Sequence, residues 1–198
     1  MANKKCVALD DISYRQIIEA ISNGFTYQAD GKEKKFRPNP QLETILKLEA
    51  VLGLRISDIL NLKLSDIVKD GNRYRLDIVE KKTSKARTFT VPTDIYSFIC
   101  TYSVTNGIDK NSKLFSIGER AVQKQLSIVA DYLSIDNVST HSFRKRFATQ
   151  TYTNSRYNIE LVRQLLQHSN VATTQRYIGV ASKDIEDALA SVSSDLFA

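Results

Sequence analysis

Residues 73–91, RYRLDIVEKKTSKARTFTV, are the stretch of the sequence that decides the fold. Polar and apolar side chains alternate over 73–79 and again over 88–91, a period of two that is typical of half-buried strands. The residues between these runs, 80–85, are polar and mostly basic, which predicts a hairpin tip. The tripeptide DGN at 70–72 predicts a tight turn just before the first strand. This stretch therefore predicts a small antiparallel β-sheet.

Helical spacing of apolar residues dominates on both sides of this sheet. Before it, the spacing predicts helices over 9–22 and from Pro40 to Gly53, a further helix with Ser57 as its N-cap, and a long polar loop over 23–40. After it, the spacing predicts helices over 93–106, 118–133, 141–154, 158–167 and 183–197. We therefore expect a mainly α protein with a small antiparallel β-sheet, folded as a single domain over residues 1–198.

The composition excludes several classes of protein. A chain of 198 residues with 42% hydrophobic residues can bury the core of one domain, which excludes global disorder. No uncharged stretch reaches the ~20 apolar residues of a membrane span, and no secretory signal follows the first residues. The two cysteines, Cys6 and Cys100, fit neither a zinc spacing nor a disulfide framework. These features predict a cytoplasmic protein with no membrane association.

The charge distribution indicates the kind of partner. The whole chain carries a net charge of +6, whereas residues 182–198 hold one lysine and four acidic residues. A basic body with an acidic tail is typical of proteins that bind a polyanion, most often nucleic acid. A basic protein that is merely soluble is the alternative, and charge alone leaves both open.

Two clusters after the predicted sheet contain chemically reactive side chains. The segment HSFR places His141 and Arg144 at i and i+3 in the first turn of a helix, where both can face one anionic ligand. The segment LLQHSNVATTQRY, residues 165–177, contains His168 and Tyr177. Taken singly, these residues fit an ordinary surface or packing role equally well, and Arg55 in GLRIS could simply pair with a carboxylate.

Taken in order, GLRISDILNL, the basic hairpin, HSFR and LLQHSNVATTQRY resemble the tyrosine recombinase (phage integrase) family over about residues 40–181. The resemblance implies the family's catalytic-domain fold. It also implies a site-specific DNA recombinase or integrase that cleaves DNA, holds it as a 3′-phosphotyrosine and rejoins it to another strand. The implied host is a bacterium, with the protein encoded by the bacterium or by a phage.

The resemblance also assigns roles to individual residues. Two arginines would hold the non-bridging phosphate oxygens, one histidine would accept the proton of the tyrosine nucleophile, the other would hydrogen-bond the phosphate, and a hairpin lysine would protonate the leaving 5′-oxygen. No cofactor, metal or ATP is implied. Arg55 and Arg144 are the two arginines, His141 is the proton acceptor and Tyr177 is the nucleophile. His168 is the second histidine and Lys82 the hairpin lysine, with Asp58 as the acidic residue behind them. Lys81 and Lys85 remain alternatives to Lys82.

Three positions depart from the family pattern. Phe143 stands where the family often has leucine, and Lys145 where it often has histidine. Gln167 stands where glycine usually precedes the second histidine. If Gln167 ends a helix in the left-handed conformation, the missing glycine costs about 1 kcal/mol.

The expected partners follow from the resemblance. They are double-stranded DNA, a second copy of the chain docked through the helix at 183–198, and accessory DNA-bending proteins. Only about 40 residues precede the first catalytic helix, so we expect no N-terminal core-binding domain. Two other functions stay open at this point: DNA relaxation of the type IB topoisomerase kind, and DNA binding by a catalytically silent relative.

Overall fold

A computed structural model describes residues 6–179. The helices within this range are α1 (Asp11–Asn23), α2 (Pro40–Leu52), α3 (Ile56–Ile59), α4 (Thr93–Thr105), α5 (Glu119–Tyr132), α6 (Thr140–Asn154), α7 (Ile159–Leu166) and α8 (Val171–Ile178). The strands are β1 (Phe25–Ala29), β2 (Lys32–Phe36), β3 (Ile67–Asp70), β4 (Arg73–Val79) and β5 (Ala86–Val91). A 3₁₀ turn, Leu64–Asp66, leads into β3. The mainly α prediction is confirmed, and the predicted helix at 183–197 lies outside the described residues.

The predicted sheet has three antiparallel strands in the order β3-β4-β5. Leu76 of β4 is fully buried and pairs with Ile67 on one side and Phe89 on the other, so one face of the sheet packs on the core. The DGN turn joins β3 to β4. Strand β3 was not predicted, because its four residues, IVKD, are too few to establish a period of two.

The prediction of a long loop over residues 23–40 is wrong. This segment forms a second antiparallel pair, β1 and β2, with Ala29 opposite Lys32. Asp30 and Gly31 connect the strands, and both have positive φ, as the tight turns of hairpins require. The dipeptide Asp-Gly is a recognised hairpin signal. It was missed because the first four of the five residues of β2, KEKKF, are all charged and exposed, so this strand shows no alternation of polar and apolar residues.

The core is built around α2, whose buried residues cover more than one face of the helix. Helices α1, α5 and α6 and the three-stranded sheet surround it and share one large apolar cluster. A second, much smaller cluster lies between α6 and the pair α7 and α8, and its buried members are Ala148, Val162 and Leu166. The helices α7 and α8 therefore attach to the domain through an apolar contact separate from the main core. Within the described residues no helix is long and apolar enough to cross a membrane.

Candidate active site

Arg55 lies where α2 ends and α3 begins. Gly53 terminates α2 with φ +57°, and a Cβ at this position would collide with the ring of Phe147, so the junction needs glycine. Arg55 itself occupies the N-cap position of α3, and the predicted cap, Ser57, lies inside the helix. The Nη1 group of Arg55 donates a hydrogen bond to the carboxylate of Glu80. The carboxylate pairing considered for Arg55 is therefore present.

Glu80 is a buried residue that the sequence analysis missed. It follows β4 at the base of the hairpin tip, is fully inaccessible to solvent, and accepts hydrogen bonds from Arg55, from Thr83 Oγ1 (2.8 Å) and from Arg87 Nη1 (3.1 Å). Burial raises the pKa of Glu80, but these donors outweigh it and hold the pKa below its ordinary value. The signal in the sequence was one carboxylate at the start of an otherwise basic tip, EKKTSK.

The hairpin tip holds Lys82 between two anchored residues. The backbone N–H of Lys81 donates to Asp58 Oδ1 (2.9 Å), and the hydroxyl of Thr83 donates to Glu80. Lys82 is exposed, and its charge is one of the causes that lower the pKa of His141, so the ammonium lies on the side of the candidate site. Lys81 instead lines clefts on the side of α3. The choice of Lys82 over Lys81 and Lys85 stays a prediction.

Helix α6 carries His141 and Arg144 in its first turn, as predicted. The backbone N–H of Ser139 donates to Ser142 Oγ (3.2 Å), which helps to fix the start of the helix. Burial and the charges of Arg144, Lys82 and Arg55 lower the pKa of His141. His141 is therefore neutral at pH 7 and can accept a proton.

Arg144 connects two parts of the molecule. Its side chain is buried, with 2% of the residue exposed, and donates from Nη1 to the carbonyl of Gly53 (2.6 Å) and from Nη2 to the carbonyl of Leu166 (3.0 Å). The first carbonyl ends α2 and the second ends α7. Arg144 thus holds the end of α7 against the end of α2.

His168 follows α7 directly. Gln167 ends the helix with φ 54° and ψ 38°, the strained left-handed conformation that the sequence analysis considered for this position. The Nδ1 atom of His168 lies 3.0 Å from the hydroxyl of the buried Thr174. Burial and the cations of Arg144 and Arg55 lower the pKa of His168 to about 4. The histidine is therefore neutral at pH 7, and its bond to Thr174 orients the ring.

Tyr177 lies on α8, a helix that the sequence analysis did not predict. Its ring packs edge-on against His168, with the ring centroids 5.2 Å apart, and the ammonium of Lys145 lies 5.4 Å from the centre of the tyrosine ring. Burial raises the pKa of Tyr177 to about 12, against the lowering effect of the nearby Arg144 cation. The hydroxyl is buried, and the guanidinium of Arg144 is its charged neighbour.

The N-terminal segment runs along α6 beside Tyr177. Lys145 Nζ donates to the carbonyl of Cys6 (2.6 Å), and Arg146 donates to the carbonyl of Leu9 (3.3 Å). The thiol of Cys6 lies 3.1 Å from the hydroxyl of Ser142. Cys6 and Tyr177 line the same small cleft. Lys145, which replaces the family's usual histidine, therefore fastens this segment close to the tyrosine.

The structure brings together Arg55, Arg144, His168 and Tyr177, with His141 and Lys82 at the edge of the group. Burial and the cations of Arg144 and Arg55 lower the pKa values of His141 and His168, and the ring of His168 packs against that of Tyr177. No hydrogen bond joins His141 to Tyr177 in the described part, and the histidine that contacts the tyrosine ring is His168. Asp58 contacts the hairpin tip rather than the guanidinium of Arg55.

A second buried carboxylate, Glu49 of α2, was also missed. It is fully inaccessible, and neither of its oxygens has a hydrogen-bond partner among residues 6–179. Burial raises its pKa well above the ordinary value, which the charge of Arg144 partly opposes. Within the same residues, no group of three or more histidine, cysteine, aspartate or glutamate side chains is arranged to hold a metal ion.

Two solved structures share this fold. The chain resembles the XerH site-specific recombinase bound to a palindromic difH substrate in a post-cleavage complex, with a TM-score of 0.67, 20% identity, and coverage of 95% of this chain and 54% of that one. It also resembles the catalytic domain of bacteriophage HP1 integrase, with a TM-score of 0.63, 20% identity, and coverage of 94% and 95%. These likenesses show that the domain has the architecture of a tyrosine recombinase catalytic domain.

Sequence comparison identifies relatives with similar names. The probable integrase/recombinase YoeC of Bacillus subtilis is 31% identical over 135 residues, which are 65% of this chain and 71% of that protein. The chain spans about half the length of most of the other curated relatives that it matches. The phage integrase family model matches residues 14–184, which include every residue of the candidate site. With this match and the shared architecture, the chain belongs to the phage integrase family.

Proposed function

We propose that this chain is the catalytic part of a site-specific DNA recombinase that cleaves and rejoins strands through a 3′-phosphotyrosyl link at Tyr177. The observation that carries the proposal is the pair of buried or half-buried arginines beside His168 and Tyr177, with His141 at the edge of the group. Two fixed guanidinium groups are suited to the charge that gathers on a phosphodiester as it is attacked. A cationic pocket of this kind would bind double-stranded DNA.

The reaction is a transesterification. A bond forms between the tyrosine oxygen and phosphorus while the bond from phosphorus to the 5′-oxygen breaks, so the phosphoester is conserved and no external energy source is needed. The proton of Tyr177 passes to a neutral histidine, for which we assign His141. Lys82 supplies a proton to the departing 5′-oxygen. Arg55 and Arg144 hold the non-bridging oxygens, and His168 hydrogen-bonds one of them.

The state of Tyr177 in the free protein fits an enzyme that waits for its substrate. A phenol with a pKa of about 12 is almost fully protonated at pH 7 and is a poor nucleophile. For attack, bound DNA must bring phosphorus to the tyrosine oxygen, and a histidine must accept the hydroxyl proton. DNA binding and activation of the nucleophile are therefore coupled in this proposal.

A nicked suicide substrate tests the proposal. Such DNA loses a short 5′-hydroxyl fragment after cleavage, so the covalent protein–DNA product accumulates and can be seen as a band of higher mass. We expect this band with the full chain and double-stranded DNA. Failure to form it with any DNA that the chain binds would favour a catalytically silent relative. Transfer of the held strand to a second duplex, rather than relaxation of supercoils alone, would separate recombination from topoisomerase activity.

The role of Lys82 can be tested through the leaving group. A 5′-bridging sulfur departs readily without a proton. The Lys82→Ala variant should therefore cleave ordinary DNA slowly and the sulfur-containing DNA almost as fast as the parent chain does. Equal slowing on both substrates would mean that Lys82 only binds DNA, and Lys81→Ala and Lys85→Ala serve as matched controls on the same tip.

The remaining assignment concerns assembly. Residues 183–198 carry apolar side chains at helical spacing, and we propose that this segment docks on a second copy of the chain when both are bound to DNA. A chain that ends at residue 182 should then cleave a suicide substrate but form fewer multimers on DNA. Unchanged multimer formation by the shortened chain would exclude this role.

A further inference from the structure

The hydrogen bonds of Arg55 divide its guanidinium into an anchored side and a free side. Nη1 is bonded to Glu80, and no other described residue accepts a hydrogen bond from this guanidinium. The side chain of Arg55 keeps 17% of its surface exposed, whereas that of Glu80 has none. The donors on Nε and Nη2 are therefore available to an external anion, while the buried carboxylate fixes the plane of the group.

Glu80 also fixes the hairpin tip on which Lys82 lies. Thr83, the residue after Lys82, donates its hydroxyl to Glu80 Oε2, the same oxygen that Arg55 contacts. The backbone of Glu80 is bonded across the tip as well, because its N–H donates to the carbonyl of Lys85 (3.0 Å) and its carbonyl accepts from Ser84 (2.9 Å). One carboxylate therefore determines the separation between Arg55 and the tip.

The other oxygen of Glu80 connects this arrangement to the end of α2. Oε1 accepts from Arg87, which is itself buried and donates to the carbonyls of Leu52 (3.3 Å) and Gly53 (3.4 Å). The carbonyl of Gly53 also accepts from Arg144 (2.6 Å). The two arginines assigned to the phosphate are thus held at a fixed distance through Glu80, Arg87 and one backbone carbonyl.

We propose that Glu80 is a positioning residue that presents Arg55 to the phosphate of bound DNA. This inference rests on the proposed function. Glu80 acts only through Arg55 and the hairpin tip, and it does not contact the phosphate. The opposite possibility is that the Glu80 carboxylate competes with the phosphate for Arg55. Replacing Glu80 with a neutral residue should slow cleavage under the first hypothesis and speed it under the second.

The test is the rate constant for covalent adduct formation on a suicide substrate, measured with excess protein in a single turnover. We expect Glu80→Gln to lower this rate constant roughly 10- to 100-fold, the scale of losing the alignment of a reacting group. Its affinity for DNA should change little. A matched control is Glu43→Gln, which makes the same change in the partly exposed pair that Glu43 forms with Lys47 on α2 and should cleave like the parent chain.

A structural defect gives a different result from lost positioning. Partial unfolding lowers the amount of adduct at the end of the reaction, whereas lost positioning lowers the rate constant. The Arg55→Lys variant already lacks the guanidinium group that Glu80 holds in place. Adding Glu80→Gln to this variant should therefore cause little further slowing. If Glu80→Gln does not fold, the double variant Glu80→Gln/Arg87→Gln removes both buried charges together and should show the same slow rate.

Three outcomes would overturn the inference. Cleavage by Glu80→Gln at the parent rate would show that Arg55 needs no anchor. Faster cleavage or tighter binding would show that Glu80 competes with the phosphate. An equal loss in the parent and Arg55→Lys backgrounds would show a structural effect only. If the parent chain itself forms no adduct, the proposed function fails and the inference fails with it. If the parent chain forms the adduct and one of the three outcomes above is seen, only the inference fails.

Discussion

The two halves of the candidate site are supported in different ways. Arg55 and Glu80 lie where α2 and α3 meet the three-stranded sheet, and they belong to a network of buried hydrogen bonds. His168 and Tyr177 lie on the segment α7–α8, whose cluster with α6 contains three buried apolar residues. Segments with few buried apolar contacts open at lower free-energy cost than the core does. The anion-binding half is therefore preformed, and the half that carries the nucleophile is the more easily displaced.

This difference fits the division of labour in the proposed reaction. Arginines must hold one geometry from the ground state to the transition state, so a rigid support is favourable. A tyrosine that becomes covalently bound to DNA must move with the phosphate during cleavage and rejoining. Arg144 joins the two halves, since it donates to the carbonyls of both Gly53 and Leu166.

The largest effect is expected on the side of the nucleophile. Tyr177→Phe removes only the hydroxyl and keeps the ring that packs against His168, so the fold should be retained. DNA binding should persist, while covalent adduct formation should be abolished. Measurement of both on the same suicide substrate checks this. An adduct formed by the Phe variant would mean that the nucleophile is Tyr152 or Tyr157 instead.

Breaking the connection between the halves should have the next largest effect. Arg144→Lys keeps the charge but cannot donate to Gly53, to Leu166 and to a phosphate at once. We expect cleavage to slow roughly 10²- to 10³-fold, the cost of losing one well-placed donor to a transition state. Near-normal cleavage rates would mean that Arg144 only attracts DNA. Arg73→Lys at the turn between β3 and β4 is a control, because its exposed pairing with Asp70 tolerates a point charge.

Amide hydrogen exchange can compare the stability of the main core with that of the segment α7–α8 directly. Leu166→Ala creates a cavity in the small cluster, a change that costs about 2–5 kcal/mol in a well-packed site. We expect faster amide exchange in α7 and α8, with little change in α2. Leu46→Ala in the main core is the matched substitution and should increase exchange throughout the domain. Uniform changes in both variants would show that α7–α8 is not separable from the rest.

The smallest expected effect is a pH dependence of stability that arises from His168. Its pKa of about 4 lies below the ordinary value of 6.5, so between these values the unfolded chain binds more protons than the folded one. The free energy of unfolding should therefore fall as the pH is lowered from 6.5 toward 4. His168→Asn should flatten this part of the curve, measured by urea unfolding at several pH values. An unchanged slope in the variant would assign the acid sensitivity to other groups.

Features with local signals were predicted correctly from the sequence. The strands β4 and β5 and the helices α1, α2 and α4–α7 follow from periodicity and end residues. The ordered motifs supplied the six candidate side chains, whose roles stay predictions. Helix α8 was missed because its eight residues, VATTQRYI, include β-branched and polar residues that favour no single period. Glu80 and Glu49 were missed for another reason. Burial of a carboxylate is decided by which segments pack over it, and no local pattern encodes that.

The placement of the N-terminal segment has a practical consequence for anyone who builds tools from this protein. Lys145 holds the carbonyl of Cys6 and lies over the ring of Tyr177, so a purification tag fused ahead of residue 6 would be tethered close to the nucleophile. The turn at Asp30 and Gly31 offers a safer position. Both residues are exposed, and a Cβ built on Gly31 meets no atom within 4 Å. Exposed turns of this kind tolerate inserted peptides, so a label there would not be attached to the segment that lies beside Tyr177.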